Sequence, residues 1–308
     1  MLALTSLFKV LLPLVYLVVW GLYMWLFYTD NPIARRLCTR AAVAAVFLHL
    51  TAMVVRGIAL QRLPMGNNLE FFSALALATM ATYLVIELRM GAKNTGFLVT
   101  GVAFIFEFTA DAFIVNAAPT NPLLRDPGFA GHAVLVLFSY TALSLSFIYA
   151  LLYLMQSRQL MRRKYGLMFR RLPSLETLER MSVGAVKMAV PLMLAALVLG
   201  HLWMYNLADR LPPETAAALS PYDPKVLISW AVFLVYTLGL LGHQFLGWRG
   251  RRMNILAVIA FVVTFSAMGL VHHFFPSFHK FRGHQANLEQ ALQRSPENRL
   301  IATEEGPR

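Results

Sequence analysis

Histidines are the residues best placed to do chemistry in this chain, because they recur near the ends of long apolar runs. His132 begins one run, His201 lies in the last part of another, and the adjacent His272 and His273 close a third. Neutral imidazole is a good ligand for iron, and two imidazoles on different helices can hold a haem between apolar and aromatic side chains. Phe129, Trp203, Tyr205, Tyr222, Phe274 and Phe275 flank the same run ends and can form that wall. Taken singly, each histidine also reads as an interfacial amphipathic residue; the grouping favours ligation. Neighbouring positions diverge by about 100 degrees around a helix, so only one of His272 and His273 points into a given pocket, and His272 is preferred.

His49 sits mid-run. An ionisable group at that depth is costly unless it faces protein or a cofactor, which makes it a functional candidate; the alternative is a neutral imidazole bonded to a neighbouring helix. Glu107 and Asp111 are four residues apart and share a helix face, where they can bind a cation, carry protons or pair with another span. Glu70 follows Pro64-Met-Gly-Asn-Asn-Leu69 and reads equally as a carboxylate at a helix start. Glu87 and Lys187, near run ends, fit snorkelling. His243 reads as interfacial, and His279 and His284 belong to the tail.

The elements that must position these groups follow from composition. With 58% hydrophobic and 14% charged residues in 308 and a mean hydropathy of +0.60, the chain belongs to the membrane class. Apolar runs reach the roughly 20 residues a helix needs to cross a bilayer, and they do not alternate as barrel strands do. The expectation is an all-α polytopic integral membrane helix bundle with about eight transmembrane helices, near 6–27, 39–59, 69–87, 95–115, 130–155, 185–207, 225–246 and 252–275. The first run, with Lys9 inside it and no clear cleavage site after it, reads as a retained span. Residues 1–275 form the membrane domain; 276–308 read as a polar, partly disordered tail.

Arginines and lysines concentrate in alternate connectors, most densely in 156–184, which places those connectors in the cytoplasm and both termini on the outer side. The same rule explains the net charge of +12 without a nucleic-acid partner. Four histidine positions then share the outer face. The connector 207–225 is a candidate outer lid, with Pro212, Pro213, Pro221 and Asp223-Pro224 breaking helix and 213–219 able to form a short turn of one. A single cysteine, Cys38, rules out a CxxC pair, and neither a Walker A sequence nor His-Glu-x-x-His occurs.

These residues resemble the cytochrome c assembly proteins, haem-handling membrane proteins of the CcsA/ResC-like and related, divergent YpjD-like branches. The resemblance covers most spans. It is carried by Pro64 to Glu70, which is similar to the family's Pro-x-x-Asn-Leu-x-Glu segment, and by Gly131-His132 with the run through Ser139-Tyr140. Further on it rests on Gly200 to Trp203, Tyr222-Asp-Pro-Lys225 with Trp230, Gly247-Trp-Arg-Gly250 and Gly269-Leu-Val-His272. It implies an outer-face haem pocket in which His132 and His272 match the two external histidines flanking a tryptophan-rich segment. That segment is thinned here to Trp203, Tyr205-Asn206 and Tyr222-Asp223, which implies a divergent haem-binding or accessory protein rather than a full synthetase.

The candidate cofactor-binding set is therefore His132, His272, His201, His49, Trp203, Tyr222, Asp223, Lys225, Glu70 and Arg125, with His132 and His272 as iron ligands and Arg125 and Lys225 facing the propionates. The implied function is haem binding and delivery at the outer face of a bacterial inner membrane, in cytochrome c assembly, with apocytochrome c or an assembly factor as partner. This is the work of an assembly factor rather than an independent catalyst. The rivals are a transporter for another small solute, built on Glu107, Asp111 and His49, and a structural or regulatory subunit without haem.

Overall fold

The computed structural model describes residues 2–113, 125–163, 165–208 and 222–274. The described residues form helices and short connectors: α1 Leu2–Thr29, α2 Pro32–Leu60, α3 Asn68–Met90, α4 Gly96–Phe113, α5 Pro127–Met161, α6 Leu167–Arg171, α7 Leu175–Ala208, α8 Pro224–Phe245 and α9 Gly250–Phe274. Helices are the expected solution in lipid, since each satisfies its own backbone polar groups. Among the described residues seven helices are long and apolar enough to cross a membrane, against the eight expected. α4 is not one of the seven; it lies within the expected span 95–115, carries Glu107 and Asp111, and runs to Phe113, where the described residues stop.

Helix starts are written into the sequence as an Asx-Pro pair. Asn31-Pro32, Asp126-Pro127 and Asp223-Pro224 each place proline in the first turn, while the preceding side chain accepts a backbone N–H that would otherwise lack a partner. Asp223-Pro224, expected to break a helix, thus begins one. The connector 156–184 is also much shorter than expected, because α5 runs on to Met161 and α7 starts at Leu175. Its arginine, glutamine and glutamate content suits helix and lets both helices project past the membrane. The possible short helix at 213–219 and the tail 276–308 lie outside the described residues.

Packing divides the bundle into two parts. In the first, α1 to α4 enclose a core of Tyr16, Val19, Tyr23, Leu26, Met80, Tyr83 and Val99, closed at one end by Leu145, Tyr149 and Met181 of α5 and α7. Gly96 permits this closeness: a Cβ there would lie 2.2 Å from the Tyr23 ring. In the second, α5 and α7 pair along their length, and α8 and α9 complete the wall through Leu143, Met193, Leu197, Val232 and Tyr236. Burial places α3 centrally, with 67% of its apolar window inside the protein, and α2 and α8 at the edge with 17% each. Phe47, Val54, Ile105, Val263 and Phe265 point outward, an apolar surface suited to lipid.

The spans alternate in direction, so the end of α2, the start of α3, the start of α5, the end of α7 and the start of α8 share one face. The arginine-rich connectors share the other.

Candidate functional site

A cavity of about 400 Å³ opens between α5, α7, α8 and α9 near the face where α5 and α8 begin. Four of the sequence candidates line it: His132, His201, Trp203 and Lys225. Its size falls within the range of roughly 300–1,000 Å³ usual for cofactor pockets, and its walls are otherwise mainly apolar.

His132 enters from the first turns of α5. Its Nδ1 lies 2.8 Å from the carbonyl of Ala196 on α7. A carbonyl only accepts, so Nδ1 carries the proton and the lone pair of the neutral ring belongs to Nε2. The ring fits against α7 because position 200 is glycine; a Cβ there would meet His132 Nδ1 at 2.7 Å. His201 follows the same rule within α7, its Nδ1 2.7 Å from the Leu197 carbonyl, and its ring stands edge-on to Trp230 with centroids 5.8 Å apart. A ring nitrogen donated to a carbonyl is the outer-shell arrangement that fixes tautomer and orientation in metal-ligating histidines.

Trp203 packs on Phe129 with centroids 5.2 Å apart and is nearly buried. Its Nε1 and the Tyr140 hydroxyl are buried in the cavity wall without hydrogen-bond partners among the described residues. Buried donors left unpaired are uncommon and fit a wall made to meet a polar guest. Lys225 borders the cavity because Asp223, itself buried, accepts its backbone N–H at 2.8 Å and fixes the first turn of α8. Met193, Met204, Met268 and Ser229 also line the space, none of them among the sequence candidates. Helical spacing supplied a signal for two: Met193 and Met204 lie eight residues before and three after His201 on one helix face.

Other candidates stand apart. The His272 side chain lies outside the described residues; its backbone continues α9 one turn beyond Met268, and His273 is exposed with its ring 4.9 Å from Phe274. Arg125 and Tyr222 are exposed, outside the cavity lining. Glu70 is held in the α2–α3 turn: Arg62 meets it twice, at 2.8 and 3.0 Å, and the Gly66 N–H donates to it at 2.8 Å. His49 lies in the other part of the bundle, with Tyr16 Oη at 2.8 Å from Nδ1 and Ser73 Oγ at 3.1 Å from Nε2. Both nitrogens are engaged by protein, so His49 is no open iron ligand in this arrangement. Glu87 does not snorkel: it is buried and accepts the hydroxyls of Tyr23 and Thr39, each at 2.5 Å.

Among the described residues no three His, Cys, Asp or Glu side chains are grouped to hold a bare metal ion. The cavity offers instead what a haem requires: imidazoles with fixed tautomers, an aromatic and thioether wall, and a cation at the rim. The residues present fit the group.

Comparison with known proteins bears on the same region. The family model for cytochrome C assembly protein matches residues 8–272. The inner membrane protein YpjD of Escherichia coli K12 is 26% identical over 247 residues, 77% of this chain and 87% of its own length. Protein HemX of Brevibacillus brevis is 33% identical over 138 residues, 44% of this chain and 47% of its own. The cytochrome c biogenesis protein CcsA of Mesostigma viride is 23% identical over 264 residues, 77% and 83% respectively. No solved structure matches.

Proposed function

The chain belongs to the cytochrome c assembly protein family, and from that premise we propose that it binds haem in the cavity between α5, α7, α8 and α9 and hands it on at the outer face of a bacterial inner membrane. The observation that carries this reading is the pair His132 and His201, each with Nδ1 bound to a carbonyl, bordering one 400 Å³ space. His132 would supply one ligand to the iron. His272 would supply another, a reading supported by its place on α9 one turn beyond Met268 and by its match to the family's second external histidine. His201 would be an alternative ligand in the same space.

A bound haem would supply an iron that these imidazoles can ligate. The chain's own residues bind and orient it. Trp203 and Phe129 would lie against the ring, Lys225 would meet the propionates, and Trp203 Nε1 and Tyr140 Oη would donate to polar atoms at its edge. Arginine-rich connectors at the opposite face support a cytoplasmic place for that face by the positive-inside rule, and with it an outer place for the cavity. The name of the YpjD relative supports the inner membrane; the names of the CcsA relatives support apocytochrome c or an assembly factor as the receiver.

Purification in mild detergent from haem-replete cells tests this. The expected spectrum shows a Soret band near one haem per chain, lost or shifted in His132→Ala and in His272→Ala. Folded wild-type protein without haem under these conditions would sink the proposal.

A further inference from the structure

The α1–α4 half holds a second polar site that the haem cavity does not explain. Its centre is a one-way chain of hydrogen bonds across four helices. The Ser73 hydroxyl donates to Glu107 Oε2 at 3.0 Å; Ser73 Oγ therefore accepts from His49 Nε2 at 3.1 Å, and in the neutral ring Nδ1 is left to accept from the Tyr16 hydroxyl at 2.8 Å. His49 and Glu107 are fully buried, with Nε2 and Oε2 3.7 Å apart. Asp111 stands one turn beyond Glu107 on the same face of α4. Glu107 Oε1 and Asp111 Oδ2 are buried without hydrogen-bond partners among the described residues.

Beside this chain lies a void of about 20 Å³, bordered by His49, Ser73, Asp111, Arg56 and Lys9. That volume holds about one water molecule. Lys9 lies near the start of α1, Arg56 near the end of α2 and Asp111 near the end of α4, so the void looks toward the face where the α2–α3 turn lies.

We propose that His49, Ser73, Glu107 and Asp111 form a proton-binding site that loads from the aqueous phase at that face. In the unloaded state Glu107 is a carboxylate, and the chain runs from Tyr16 through His49 and Ser73 to it. A proton entering by way of water and Asp111 passes to Glu107. The proton settles on Oε1, the Glu107 oxygen without a hydrogen-bond partner among the described residues, while Ser73 goes on donating to Oε2, now a carbonyl oxygen. One proton is gained, and the chain from Tyr16 through His49 and Ser73 keeps its direction. The charged and titratable groups around His49 are Tyr16 and Lys9 on α1, Arg56 on α2, Glu70 on α3 behind Arg56 at 3.8 Å, and Glu107 and Asp111 on α4. Arg56 and Lys9 balance the carboxylates in the unloaded state. They also repel a metal cation from the same void, so the site selects a proton carried by water.

Infrared difference spectroscopy of the full chain in lipid bilayers, titrated with pH in H₂O and D₂O, tests this without reference to haem. A protonated-carboxyl stretch should grow as pH falls, move to lower frequency in D₂O, and vanish in Glu107→Gln. Asp111→Asn should keep a band but shift its midpoint. If Glu107→Gln does not fold, Glu107→Asp should retain the band at an altered frequency and midpoint. A band that titrates identically in wild type and the folded Glu107 variant overturns the proposal. So does a midpoint that moves when sodium replaces choline at constant ionic strength, because the site then takes a metal cation.

Discussion

In the α1–α4 half, His49 gives both ring nitrogens to side chains and adjoins a void of about 20 Å³. In the half built from α5, α7, α8 and α9, His132 and His201 each give Nδ1 to a backbone carbonyl and border about 400 Å³. Both regions hold imidazole within the bundle, fully buried at His49 and half-buried at His132 and His201, yet one has used the ring as an internal link and the other has oriented it beside open space. What separates them is where the second nitrogen is directed and how much room adjoins it. Buried polar groups in the first region should therefore matter mostly for stability, and those in the second mostly for the guest.

The largest effect should come from Glu70. Its carboxylate is almost fully buried against a similarly buried Arg62, and removing one member of such a pair leaves the other charged and unpaired. Glu70→Ala is expected to cost about 3–5 kcal/mol, read by thermal unfolding in detergent, with haem per folded chain unchanged. Loss of haem with little loss of stability would move Glu70 to the cavity's side of the comparison. Next comes His49→Leu, which strands the Tyr16 hydroxyl and removes the donor to Ser73. Its expected cost is about 2–3 kcal/mol, again with haem retained. The counterpart, His201→Leu, should cost under about 1 kcal/mol while weakening haem binding at least about tenfold in a spectrophotometric titration. Equal stability losses for the two would erase the distinction.

How far the sequence reveals this contrast depends on the range of the interaction. Spans are legible because lipid-facing and core-facing residues are both apolar, so hydropathy marks α1, α2, α3, α5, α7, α8 and α9 alike. α4 falls within the expected span 95–115 although it carries Glu107 and Asp111, the first of them buried beside His49 at 3.7 Å. Helix lengths at the basic face are understated, because arginine and glutamine signal the membrane's edge but favour continued helix. The cavity is legible in part. His132 and Trp203 are found by type and spacing, but the Ala196 carbonyl that sets His132's tautomer is 64 residues away. His49's partners lie 33 and 24 residues off on two other helices, which no periodicity discloses.

Gly200 offers a subtler test, since it acts on the cavity only through shape. Alanine there gains about 1 kcal/mol of helix propensity but puts a methyl 2.7 Å from His132 Nδ1, where overpacking costs about 1–3 kcal/mol. Gly200→Ala should therefore cost up to about 2 kcal/mol and turn the His132 ring off the Ala196 carbonyl, so the Soret maximum shifts and haem affinity falls. The equivalent change at Gly239, where nothing lies within 4 Å, should leave both readings as they are. A Soret band untouched by Gly200→Ala would mean that His132's orientation is not what selects the guest.

The smallest effect should belong to Trp203→Phe. The substitution keeps an aromatic ring against Phe129 but removes part of the indole's bulk and the Nε1–H group, which has no hydrogen-bond partner among the described residues. Since that donor satisfies nothing within the protein, stability should fall only through the lost bulk, by about 1 kcal/mol or less, whereas a donor used by the guest should take about twofold to tenfold of haem affinity with it. In the α1–α4 half the same logic gives the reverse pattern, because Tyr23→Phe removes a hydroxyl that Glu87 accepts at 2.5 Å and should lower the melting temperature while sparing haem. If Trp203→Phe destabilised the apoprotein as much as Tyr23→Phe, the indole nitrogen would be serving the bundle, and the division between a half that binds itself and a half that binds a guest would fail at its most sensitive point.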